Sequence, residues 1–125
     1  MKRRLLIVDD EAYFREAVAS YLEDEGYEVR VAATAGEALE RVAAEVPDLC
    51  VLDLRMPDVD GFELASRLRR VAPELRLLVV SGSARFLPAA ALESLGLDAE
   101  DVVAKPIPRL ATLADRIAER LGDRA

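Results

Sequence analysis

Five short apolar runs, each followed by a longer stretch with helical spacing, are what most narrows the folds open to this chain. The runs are Leu5-Leu6-Ile7-Val8, Val29 to Val31, Leu49-Cys50-Val51-Leu52, Leu77-Leu78-Val79-Val80 and Val102-Val103-Ala104. Most are apolar at every position, not at every second one, which is the pattern of strands covered on both faces in a parallel sheet. The stretches between them have a different period. Phe14, Ala17, Val18, Tyr21 and Leu22 lie on one helical face, and so do Leu110, Leu113, Ala114, Ile117, Ala118 and Leu121. Thr34-Ala35-Gly36-Glu37 reads as a capping box, Asp60 as the cap of a helix bearing Leu64, Ala65 and Leu68, and Gly26 and Gly96 as helix stops. A β-α unit repeated about five times, with no linker between, predicts an α/β fold: a doubly wound, open parallel sheet with helices on both faces. Ligands of such sheets bind beyond the carboxyl ends of the strands, near the point where strand order reverses.

Composition sets the outer limits. The 125 residues are 52% hydrophobic, enough for one domain with an ample core. A net charge of -7 and a pI near 4.7 speak against a nucleic-acid or anionic-membrane partner. Met1-Lys2-Arg3-Arg4 opens like a signal peptide, but the apolar run that follows is cut short at Asp9, and nothing else approaches a membrane span. The single cysteine, Cys50, excludes an internal disulfide, suits a reducing compartment and is expected to be a small core residue. The expectation is a soluble, cytoplasmic protein with a single domain over residues 1–125.

At the predicted strand ends stand Asp9-Asp10-Glu11, Asp53, Ser81 and Lys105-Pro106. Each has a plain reading by itself. The acidic run can serve a helix N-terminus, and Ser81-Gly82-Ser83 can be an ordinary turn. Asp53 is harder to dismiss, because a carboxylate ending a buried apolar strand is costly unless something pairs with it. Lys105 also stands out, since only two of the 17 basic residues are lysines and the other is Lys2. A lysine there points to a need for a compact charge and not a planar fork. With the first and third strands central, these ends converge. Three carboxylates in one crevice repel one another, and a hard divalent cation relieves that repulsion. Oxygen-only ligands favour Mg²⁺ over zinc, and a chain without histidine and with one cysteine cannot build a nitrogen or sulfur site.

Asp9-Asp10, Leu52-Asp53-Leu54-Arg55-Met56-Pro57 with Gly61, Ser81-Gly82 and Lys105-Pro106 together resemble the motif set of bacterial-type response-regulator receiver domains, over Lys2 to about Leu121. The resemblance implies a flavodoxin-like, five-stranded sheet of order 2-1-3-4-5. It implies Asp53 as phosphoacceptor and Asp10 as a direct metal ligand. Asp9 would hold the metal mainly through water, and the Arg55 backbone carbonyl would complete the set with Asp53. Ser81 would bond the phosphoryl group and Lys105 would neutralise it. It implies Mg²⁺ as cofactor and a cis Lys105-Pro106 bond. The donor would be a sensor histidine kinase or histidine phosphotransfer protein, because this chain has no histidine. The chain would be a phosphoacceptor and not an enzyme, with self-phosphorylation from small donors and autodephosphorylation. With nothing after Leu121 that reads as an output domain, the expectation is either a stand-alone regulator with an unnamed protein target or a piece of a longer protein.

Some positions depart from the family pattern. Val102 stands where receivers usually carry an aromatic residue, and the segment around Gly96-Leu97-Asp98-Ala99 is about two residues longer than is usual in such chains. Both lie on the surface such domains commonly use to signal. Arg55 is read as a loop arginine pairing with Asp58, or as a side chain reaching over the phosphoryl group. Two other classes compete. An interaction module acting without phosphorylation would have no reason to keep the site complete. An FMN protein would need a phosphate loop where Asp9-Asp10-Glu11 would repel it, and a haloacid-dehalogenase-type phosphatase would need an Asp at the place of Arg55.

Overall fold

The computed structural model describes residues 2–56, 58–82 and 87–122. The chain alternates β1 (Arg4–Val8), α1 (Ala12–Asp24), β2 (Glu28–Ala32), α2 (Ala35–Ala44), β3 (Leu49–Asp53), α3 (Gly61–Val71), β4 (Arg76–Ser81), α4 (Ala89–Ser94), a 3₁₀ turn (Ala99–Asp101), β5 (Val102–Ala104) and α5 (Leu110–Leu121). All five strands are parallel in the order β2-β1-β3-β4-β5, so the doubly wound, flavodoxin-like sheet is as expected.

The continuous apolar runs follow from this layering. Leu5, Ile7, Leu49, Val51, Leu78 and Val80 face α1 and α5, where they meet Val18, Leu22, Leu113 and Ile117. Leu6, Val8, Cys50, Leu52, Leu77 and Val79 face the other side and pack with Ala38, Val42, Leu64, Leu68 and Leu92. With a side-chain period of two, only apolar residues at every position can satisfy helices on both faces. The edge strand β2 differs in the way its place predicts: half-buried Glu28 and exposed Arg30 flank buried Val29, and the strand closes on buried Ala32.

The helix ends follow the local rules, with two adjustments. Asp60 caps α3 by accepting from the Phe62 N–H at 2.8 Å, and Gly26 and Gly96 take the left-handed conformation, φ 100° and 72°. Thr34 caps α2 by accepting from the Glu37 N–H, but the Glu37 carboxylate reaches back to the N–H of Ala33, not of Thr34, so the box is only half formed. The helix ahead of the Gly96 stop is short, Ala89–Ser94, with Pro88 extended as its N-cap, φ -65° and ψ 126°, and Leu95 as its C-cap. The extra residues before β5 form the 3₁₀ turn, held by a capping box between Asp98 and Asp101. Pro57, Ser83, Ala84 and the ending 123–125 lie outside the described residues.

Candidate phosphoacceptor site

The carboxyl ends of β1, β3, β4 and β5 gather the polar residues picked out in the sequence. Asp9 and Asp53 are buried, 1% and 4% exposed, while Asp10 is exposed. One carboxylate oxygen from each of the three lies within 4.8 Å of the others. Lys105 reaches the group from the end of β5, its Nζ donating to Asp9 Oδ2 at 2.9 Å and to Asp53 Oδ2 at 3.0 Å. Ser81, also buried, closes β4, and its backbone carbonyl accepts from the Lys105 N–H at 3.0 Å. The Lys105-Pro106 bond is cis, as expected.

The two buried carboxylates are held alike. Asp9 Oδ1 accepts from the backbone N–H of Glu11, and Asp53 Oδ1 from that of Arg55, each at 2.9 Å. Such bonds to the residue two positions on are the ordinary preference of aspartate in turns, so each strand orients its own acid as it ends. The remaining oxygen of each meets Lys105. Gly61 makes the turn after Asp53 possible, since a Cβ there would lie 2.3 Å from the Leu54 carbonyl oxygen.

Charge at the site is strongly coupled. Burial lifts the Asp9 carboxyl above its ordinary range, the nearby Asp53 adds to this, and the Glu11 N–H and Lys105 work against it. Burial alone would lower the Lys105 ammonium, but hydrogen bonds and charges from Asp9 and Asp53 outweigh it and push it up to about 12. Lys105 therefore stays charged and answers part of the acidic excess. A cluster of carboxylates with no nitrogen or sulfur donor fits a hard divalent cation such as Mg²⁺.

Some of the sequence readings need revision here. Among the described residues no ion pair joins Arg55 to Asp58; Asp58 instead accepts from the N–H of Ala35, tying the α3 approach to α2, and the Arg55 side chain is exposed. Two participants were not visible as such in the sequence. Glu11 approaches Lys105 at 3.4 Å, and the Phe14 ring lies under the same ammonium, 4.2 Å from its centroid. Glu11 stood in the acidic run at the first strand end with no role of its own, and Phe14 read as part of an apolar stripe; no local signal linked Phe14 to a lysine 91 residues away.

Comparison with known proteins agrees with this fold. The model of the response regulator receiver domain family matches residues 5–118. The chain is 38% identical over 106 residues to response regulator MprA of Mycobacterium ulcerans, covering 85% of this chain and 45% of that protein. It is 38% identical over 125 residues to the nitrogen assimilation regulatory protein NtrX of Azorhizobium caulinodans, covering 97% of this chain and 27% of the relative. The chain thus spans less than half the length of these curated relatives. Among solved structures, a CheY-like receiver domain of Methanospirillum hungatei superimposes with a TM-score of 0.88 at 33% identity, covering 98% of this chain and 96% of the other. The non-phosphorylated HemR receiver domain of Leptospira biflexa gives 0.83 at 30%, with 96% and 94% covered.

Proposed function

This chain belongs to the response-regulator receiver family of two-component systems, and from that premise we propose that Asp53 accepts a phosphoryl group in a Mg²⁺-dependent reaction that changes what the protein binds. The observation that carries this reading is the Lys105 ammonium bridging buried Asp9 and Asp53, with Asp10 alongside, at the open end of the sheet.

An Asp53 carboxylate oxygen attacks phosphorus. The P–N bond of a phosphohistidine, or the P–O bond of acetyl phosphate, breaks as the new P–O bond forms. The histidine or acetate leaves with the bonding electrons. Asp9, Asp10, Asp53 and the Arg55 carbonyl would hold Mg²⁺, which when bound supplies the positive charge that lets an anionic group approach a carboxylate. Lys105 moves its charge from the two aspartates toward the phosphoryl oxygens, and the Ser81 hydroxyl donates to one of them. The donor is a sensor histidine kinase or histidine phosphotransfer protein, since this chain has no histidine.

A reducing compartment is part of the same reading, supported by one buried free thiol; among the described residues no helix is long and apolar enough to cross a membrane. Incubation with acetyl phosphate and Mg²⁺, followed by intact mass measurement, should show one added phosphoryl group, lost in EDTA and in Asp53→Asn. An Asp53→Asn protein that gains the same mass to the same extent would show the assignment to be wrong.

A further inference from the structure

We propose that Phe14 is a positioning residue for Lys105: the face of its ring holds the ammonium over Asp53. This role rests on Asp53 being the phosphoacceptor. Lys105 Nζ is bounded on its carboxylate side by Asp9 at 2.9 Å and Asp53 at 3.0 Å. The longer contact, 3.4 Å to Glu11, leads outward, because the Glu11 side chain is 66% exposed. The Phe14 ring covers a further side, 4.2 Å from ammonium to centroid. Phe14 is itself half-buried and packs against the core beneath α1 and α5, so the ring is anchored.

Charge explains why a ring serves here. The mouth already carries Asp9, Asp10, Glu11 and Asp53, and the group to be received is an anion. One more carboxylate under Lys105 would hold the ammonium but would also repel that anion. An aromatic face attracts a cation through its quadrupole while adding no formal charge, and it displaces water that would otherwise draw the ammonium outward. As filler of a helical stripe Phe14 would be replaceable by leucine; the contact with Lys105 is what separates the two.

Lys2 and Lys105 are the only lysines, so ammonium NMR at low temperature resolves Lys105 in the full chain. In Phe14→Leu the Lys105 ammonium protons should exchange with water faster than in wild type. The acetyl phosphate concentration for half-maximal phosphorylation should rise about three- to tenfold. Phe14→Tyr, which keeps the ring face, should behave like wild type in both. Unchanged ammonium exchange in Phe14→Leu, or a Phe14→Tyr protein as impaired as Phe14→Leu, overturns the role. Should Phe14→Leu not fold, Phe14→Met is read by the same outcomes. If wild type takes up no phosphoryl group, it is the phosphoacceptor reading that falls, and the exchange comparison still decides whether Phe14 holds Lys105.

Discussion

Single residues here carry constraints of very different kinds. Gly61 is required by space and not by backbone angle: an added Cβ would press on the carbonyl oxygen, Cα and carbonyl carbon of Leu54, all backbone. Backbone cannot swing away as a flexible side chain can, so the turn after Asp53 must shift. Gly61→Ala is expected to lose roughly 2–3 kcal/mol of stability in urea denaturation, together with phosphorylation at Asp53; a melting curve like that of wild type would refute the steric account. Cys50 is constrained by burial instead. Fully enclosed in β3, its thiol is pushed from 9.0 up to about 12. A group that keeps its proton in the folded state above its ordinary value contributes stability that is fully present below 9.0 and lost as pH rises through about 12. Cys50 should therefore resist alkylation at pH values near its ordinary one and react only as urea unfolds the chain. Rapid labelling of the native protein would contradict the burial.

At the scale of elements, the question is which part of the molecule can respond at the β4 and β5 ends. β5 and the 3₁₀ turn before it are clamped by α5. Arg120 pairs with Glu100 at 2.7 Å and with Asp101 at 3.2 Å, and Arg116 donates to the backbone carbonyls of Glu100 and Val102. Val102 has no ring to swing, and a β-branched side chain is stiff at χ1. α4 is the opposite case: six residues, with Leu92 its one buried side chain among the described residues. A bound group shifts an arrangement only by contacting one form better than another, and Ser81, buried at the end of β4, is the residue to which the proposed function gives that contact. Hydrogen exchange on the free and beryllofluoride-loaded forms should therefore change over residues 87–95 while 102–103 stay as they are. Changes confined to Val102 and Val103, or an unaltered response in Ser81→Ala, would reverse this assignment.

For the whole molecule, the acidic cluster is a place where the folded state works against itself, because Lys105 answers only part of the charge of Asp9, Asp10 and Asp53. A ligand that binds the native state alone stabilises it by mass action, about 2.7 kcal/mol at a hundredfold excess over its Kd. Mg²⁺ should accordingly raise the melting temperature of wild type. Asp10→Asn should melt higher than wild type without the metal and respond to it less; an unchanged response to Mg²⁺ would remove Asp10 from the site. Much of this protein was determined by the sequence alone. The doubly wound sheet, its unbroken apolar strands, the Asp60 cap and the glycine stops at 26 and 96 depend on periods and contacts within a few residues, which a linear reading can follow. Asp9, Asp10, Asp53, Ser81 and Lys105 were legible because each stands at or just after the carboxyl end of a strand, and those ends of a parallel sheet share one edge. Only the tertiary structure decided that Glu11 and Phe14 meet Lys105, that Asp58 serves Ala35 and not Arg55, and that the Glu37 carboxylate caps Ala33. The first two depend on groups brought together across 23 or more residues and the third on where one glutamate side chain reaches, and neither the spacing of apolar residues nor the preference of a turn encodes those.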